Sequence, residues 1–175
     1  MIYPFDKEVM LDLETVGTSA GCGILSIGAS TLDRLEKFYV AIDIDSCYER
    51  GLAYDSDTLG WWSKQSEEAR RAAFSGKLDL AEALTMFSSW YKLQADKLWG
   101  NGADFDKPIL TTAYEACDLP VPWKYNAGRC YRTMRALYPQ VISAPFIGER
   151  HNALADAVNQ AAHCHAILRH IYGGS

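Results

Sequence analysis

Cysteine pairs, long apolar runs and a surplus of positive charge are all missing from this chain. The five cysteines (Cys22, Cys47, Cys117, Cys130 and Cys164) are odd in number, scattered, and never spaced Cys-x-x-Cys. That pattern argues against a disulfide or metal-ribbon framework and suits a reducing cytoplasm. No stretch approaches the ~20 apolar residues of a bilayer span, and Met1 to Lys7 holds no basic segment leading into an apolar run, so neither membrane insertion nor secretion is expected. Lys and Arg total 17 against 22 Asp and Glu, giving a net charge of -5. An extended surface that binds nucleic acid by counterion release is therefore not expected. Any phosphate-bearing partner must be held locally, and a cation bound by carboxylates can do this because the ion inverts the sign of the site. Repeats, low-complexity tracts and Pro/Gly/Ser linkers are absent as well, which points to one domain over residues 1–175.

What is present starts with an acidic pair. Asp12 and Glu14 stand one residue apart at the end of an apolar run. If Glu8 to Leu13 is a strand, both acids point to one face and Leu13 to the other. Two carboxylates so placed repel each other unless a cation sits between them, and a hard divalent ion with oxygen ligands is the usual remedy. Further strands are predicted at 24–32 and 36–42, forming an antiparallel meander with the first. From Ser56 the period changes: short helical segments open at Asp57 and Ser66, and 79–93 is amphipathic with Leu80, Leu84, Phe87 and Tyr91 on one face. A short strand at 97–100 and helices near 104–117, 131–137 and 152–171 follow. This order suggests an α/β sandwich with a mixed sheet.

Two later motifs carry the same chemistry. Asp106 closes Asn101-Gly102-Ala103-Asp104-Phe105-Asp106, at the start of a helix after a short strand. Asp104 and Asp106 both stand where Asp is a routine N-cap, so one of them is needed only as a cap. His151 and Asp156, five apart, stand where a loop meets the final helix, with Asn152 suited to cap it. His163-Cys164-His165 is not read as a zinc site, because residues one and two apart on a helix do not share a face.

In order and spacing these motifs (Asp-x-Glu-Thr, Asn-x-x-x-Phe-Asp, His-x-x-x-x-Asp) resemble those of the DEDDh 3′-to-5′ exonucleases. The resemblance runs from about Glu8 to His165. Leu25-Ser26-Ile27-Gly28, Asp57-Thr58-Leu59-Gly60-Trp61-Trp62 and Gln65-Ser66-Glu67-Glu68-Ala69-Arg70 look closest to small stand-alone phage and prophage exonucleases. It implies a single-domain ribonuclease H-like fold, a mixed β-sheet flanked by helices. It also implies two divalent cations, Mg2+ or Mn2+, held by Asp12, Glu14, Asp106 and Asp156, with His151 accepting the proton of the attacking water. Asp106 is preferred to Asp104 because the family motif places its acid directly after the aromatic Phe105. A histidine suits the role because its ordinary pKa of about 6.5 lies near working pH.

Thr15, Trp61, Trp62, Asn101 and Phe105 are expected to contact substrate. One of the two tryptophans belongs to the core, and the other stacks on a base, since an aromatic face accepts every base. The expected partner is a single-stranded or 3′-overhanging nucleic acid, RNA or DNA, cut to nucleoside 5′-monophosphates. Some members of the family are dimers, which leaves a homodimer open. Lys124, Arg129, Arg132 and Arg135 form the densest basic stretch, with phosphates, a second subunit and plain solvent all open as partners. Two rival readings remain: a phosphodiesterase for dinucleotides or very short oligonucleotides, and a binding module whose metal site is idle.

Overall fold

The computed structural model describes residues 7–173. Its centre is a five-stranded sheet in the order β3-β2-β1-β4-β5, built from β1 (Glu8–Thr15), β2 (Ile24–Thr31), β3 (Lys37–Ala41), β4 (Lys97–Gly100) and β5 (Gly128–Cys130). The first three strands form the antiparallel meander expected from the sequence, while β4 runs parallel to β1 and β5 parallel to β4. The helices are α1 (Ile44–Tyr48), α2 (Ser56–Trp62), α3 (Glu67–Ala73), α4 (Leu80–Gln94), α5 (Asp106–Ala116), α6 (Tyr131–Leu137) and α7 (Ala153–Tyr172). Two of these elements are not anticipated by the sequence pattern. Helix α1 is a five-residue turn capped by Asp43, and β5 is three residues long with an exposed, basic face, too short for periodicity to register.

Alternation along the strands sorts the molecule into two layers of helix. Val9, Leu11, Leu13, Ile27, Ala29, Phe38 and Val40 face the larger core, which α4 fills with Leu80, Leu84, Phe87 and Tyr91 and α5 with Ile109, Leu110 and Tyr114. Met10 and Trp99 face the other way, towards Tyr131 of α6 and Ala157, Ala161, Cys164 and Leu168 of α7. On that second face β2 carries small residues in alternation, Ser26, Gly28 and Ser30. The spacing matters at Gly28. A Cβ there would lie 2.1 Å from the carbonyl carbon of Ala153 and 2.3 Å from the Leu154 nitrogen, so α7 begins in backbone contact with the sheet. This close approach brings the start of α7 over the end of β1, since Gly28 is the register partner of Asp12.

Candidate active site

Asp12 and Glu14 project from β1 on the α7 side, partly exposed, with buried Leu13 between them on the opposite face. A bulge in the β1–β2 pairing falls between Glu14 and Thr15 and ends the regular ladder there. Asp156 comes from the first turn of α7, whose N-cap Asn152 accepts a hydrogen bond from the Ala155 amide (3.0 Å). Carboxylate oxygens of Asp12, Glu14 and Asp156 lie within 4.8 Å of one another. They line a cleft of about 670 Å³ together with Thr15, Asp55, Asp57, Thr58, Trp61, Trp62, Asn101, Phe105, His151 and Gln160.

Burial raises the pKa values of all three carboxyl groups in this cluster, and mutual repulsion adds to the rise at Asp12 and Glu14. Burial, then the neighbouring Asp106, Glu14 and Asp156 carboxylates, raise the Asp12 carboxyl well above the ordinary range. Glu14 is pushed up to about 8, by burial first and by Asp156 and Asp106 next. Asp156 is also raised by burial, although a hydrogen bond from the His151 amide offsets part of this. Among the described residues, no basic side chain forms a salt bridge with any of the three. A divalent ion bound to these groups would displace their protons into solvent, and the all-carboxylate donor set fits Mg2+ or Mn2+.

Asp106 stands apart from the other acids. It is 2% exposed, is absent from the lining of the cleft, and accepts from two backbone amides, Leu13 (3.2 Å) and Asn101 (3.2 Å). Gly100 leaves room for this carboxylate, since a Cβ there would lie 2.9 Å from Asp106 Oδ2. The side chain thus ties the end of β4 to β1 at Leu13, between Asp12 and Glu14 in the chain. The capping expected of Asp104 or Asp106 does not occur: α5 starts after Phe105 with no side-chain cap, and Asp104 is exposed.

His151 is an exposed residue with φ 61°, a backbone conformation uncommon outside glycine. Its amide donates to Asp156 Oδ2 (3.0 Å), and its ring meets Trp61 edge-on at 4.8 Å between centroids. One of the two tryptophans is core, as expected, and the other is exposed. Trp62 is 2% exposed, packs with Val16, Leu25 and Ala73, and donates its indole N–H to the Thr15 carbonyl (2.9 Å), whereas Trp61 is 40% exposed at the cleft wall. The Thr15 hydroxyl is turned to the Gly17 carbonyl (2.6 Å). His163 is buried between the Tyr131 hydroxyl (2.8 Å) and the Val141 carbonyl (2.6 Å), which uses both ring nitrogens and leaves none for a metal.

Gln160 lines the cleft beside Asp12, a position that the motifs did not reveal. Its amide nitrogen donates to Asp12 Oδ1 (2.8 Å), while its Oε1 and the Oδ1 of Asn101 are buried without a partner. The signal was available, because Gln160 follows Asp156 by one helical turn and so shares its face.

Residues 7–168 match the family described as the 3′-5′ exoribonuclease Rv2179c-like domain. The chain belongs to that family. Three solved structures share the fold. The nuclease domain of 3′hExo, a DEDDh family member bound to rAMP, is 11% identical with a TM-score of 0.63, the match covering 98% of this chain and 94% of that one. Exonuclease X in complex with 5′ overhanging duplex DNA is 14% identical, with a TM-score of 0.58 and coverage of 96% and 94%. Exonuclease I from Methylocaldum szegediense is 17% identical, with a TM-score of 0.63, and the match covers 95% of this chain but only 41% of that enzyme. A search of curated sequences found no match. The chain is thus a member of a 3′-5′ exoribonuclease family, and its mixed sheet flanked by helices is the fold of these exonucleases. Among the described residues, no helix is long and apolar enough to cross a membrane.

Proposed function

We propose that this exonuclease removes nucleotides one at a time from a single-stranded or 3′-overhanging end, with two divalent ions held at Asp12, Glu14 and Asp156 and with His151 as the proton acceptor. The convergence of the three carboxylates within 4.8 Å carries the reading. Bound Mg2+ or Mn2+ would supply Lewis-acid activation of water and neutralise charge at the scissile phosphate. Water adds to phosphorus, the P–O3′ bond breaks, and the products are a nucleoside 5′-monophosphate and a strand with a new 3′-hydroxyl. The chain's own contributions are three. Gln160 and the Asp106 clamp fix where Asp12 and the strand ends stand; Trp61 offers a face for the terminal base; and His151, on a strained loop position beside Asp156, takes the proton of the attacking water. Asp106 would hold the second ion, directly or through its waters, as the resemblance to the exonuclease motifs implies. RNA is the first substrate to try, because the family's description is that of an exoribonuclease.

The test is incubation of end-labelled RNA and DNA, single- and double-stranded, with Mg2+, Mn2+ or chelator, for the wild type and Asp12→Ala. Metal-dependent laddering from the 3′ end in the wild type alone is expected. Intact substrate in every lane with a well-folded protein would refute the proposal. Cleavage confined to dinucleotides would shift the reading to the short-oligonucleotide phosphodiesterase, a substrate range consistent with the net charge of -5.

A further inference from the structure

A second, smaller cavity of about 230 Å³ lies across the β4–α5 turn from the active site. Its walls are Gly100, Gly102 and Ala103 of that turn, Gly128, Arg129 and Cys130 of β5, and Lys107 of α5. Asn101, between the two glycines of the turn, lines the catalytic cleft, so the two depressions share one three-residue wall. The Lys107 stem crosses β5 here: a Cβ on Gly128 would lie 3.3 Å from its Cδ and 4.0 Å from its Nζ. Arg132 closes the rim beside Gly102, its Nη2 3.4 Å from where a Cβ would be, with Asp104 equally close to the same point.

Three basic residues therefore flank a cavity floored by glycine, in a chain with five more acidic than basic groups. Lys107 and Arg129 line it, Arg129 as the register partner of Trp99, and Arg132 stands at the Gly102 rim, where it also lowers the Asp106 carboxyl. None of Lys107, Arg129 and Arg132 forms an ion pair with a carboxylate among the described residues. The Arg129 guanidinium donates only to the Asn126 (3.1 Å) and Gly128 (2.9 Å) carbonyls, and the acid it influences, Glu8, is already bonded to the Trp99 indole. Lys107 stands in the first turn of α5, where the helix dipole disfavours a cation. An unpaired lysine at such a position is stabilised by an anion bound beside it. The missing side chain at Gly128 lets Lys107 lie against β5, and Arg132 reaches the bare surface of Gly102, so an oxyanion in the cavity is met from these two sides, while the space at Gly100 is filled by the Asp106 carboxylate.

We infer that this cavity is a phosphate subsite that holds the backbone of the strand whose 3′ end occupies the active site, one or more nucleotides upstream of the scissile bond. The inference rests on the exonuclease reading and adds a structural reason for a preference for strands over dinucleotides. Free mononucleotide would present the same chemistry, so length separates the two sources.

The test compares wild type, Lys107→Gln, Lys107→Gln/Arg129→Gln and the charge-retaining Lys107→Arg/Arg129→Lys. Affinity for labelled oligonucleotides of increasing length is measured with Ca2+ in place of Mg2+, and dinucleotide turnover with Mg2+. In the double Gln variant, oligonucleotide affinity should fall roughly tenfold at low salt, the size of a charge-assisted phosphate contact. Its log-affinity against log-salt slope should flatten by about 0.7. Mononucleotide affinity and dinucleotide turnover should stay as in the wild type, and the charge-retaining variant should recover affinity. Single Lys107→Gln should show part of the loss and serves alone if the double variant does not fold. Unchanged oligonucleotide affinity and salt slope would overturn the subsite, as would an equal loss for mononucleotide. Absence of turnover on every substrate would instead count against the exonuclease reading, while the binding comparison still decides the subsite.

Discussion

Replacing Gly28 with alanine adds one methyl group and should disable an active site to which Gly28 contributes no side chain. Alanine in a strand ordinarily stabilises by roughly 0.5–1 kcal/mol relative to glycine, and Gly28 is not among the positive-φ glycines, so backbone strain does not enter. Packing decides the sign. The added Cβ would stand 2.1 Å from Ala153 C, 2.3 Å from Ala153 O and 2.3 Å from Leu154 N. These are backbone atoms that cannot rotate away, so the start of α7 must lift by roughly 1 Å to restore ordinary contact. Ala153, Ala157 and Ala161 are fully buried along the same helix, so the shift also opens the packing behind it. We expect a net loss of about 2–3 kcal/mol, which is a fall in Tm of roughly 5–10 °C for a chain of this size. Because Asp156 and the loop bearing His151 travel with the helix start, turnover should drop by about 100-fold even where the variant is fully folded. Urea denaturation, thermal melts and a single-turnover cleavage assay read these effects, with Gly60→Ala as control. Gly60 lies in α2 with nothing within 4 Å of the place an added methyl would take, so that change should stabilise by about 0.5–1 kcal/mol. A neutral or stabilised Gly28→Ala with normal turnover would refute the argument that a glycine-width gap sets the site.

Further outcomes follow from the same geometry. Trp62→Ala should cost about 3–5 kcal/mol, as a buried aromatic does, while Trp61→Ala should barely move the melt but weaken mononucleotide binding by roughly tenfold through lost stacking; equal effects on stability would contradict the division of the pair. In the metal-free protein, stability should fall as pH rises. Glu14 titrates near 4.5 when unfolded and at about 8 when folded, and a carboxyl with a raised folded pKa contributes fully below the lower value and loses its contribution as pH climbs through the higher one. Added Mg2+ should flatten that decline, and melts with chelator that improve from pH 5 to 8 would contradict the cluster's electrostatics. Gln160→Leu removes the donor to Asp12 and should weaken metal affinity by about 10–100-fold, measured by calorimetric titration; affinity equal to wild type would reduce Gln160 to a packing residue. His151→Ala should lower turnover strongly while leaving metal affinity nearly intact, and lost affinity there would make it a ligand instead.

The legible parts of this protein are those with a local cause. A short apolar run made β1 readable, a run of apolar and small residues β2, and period-2 alternation β3; three- and four-residue spacing made α4 readable, and Asn152 announced α7. The site was legible where motif order matched a known pattern, at Asp12, Glu14, His151 and Asp156. Helix α1 and strand β5 were not, since five and three residues are too few for a period to emerge. The basic stretch around Arg129 and Arg132 had three open explanations in the sequence, and its relation to Lys107 exists only because β5 lies beside β4.

By itself the sequence determined the carboxylate set and the face it shares: alternation along a strand is a property of the chain alone, and it puts Asp12 and Glu14 on one side whatever else packs around them. Tertiary structure decided the distances and the division of labour. It brought Asp156 within ligand range by seating α7 on the bare surface of Gly28, tied Asp106 to β1 and the end of β4 by giving both its oxygens to backbone amides, and buried Trp62 while leaving Trp61 open. The physical reason is common to all three. Each depends on how closely two elements remote in the chain can approach, and side-chain volumes and unpaired backbone groups at the contact set that closeness only once both sides are in place.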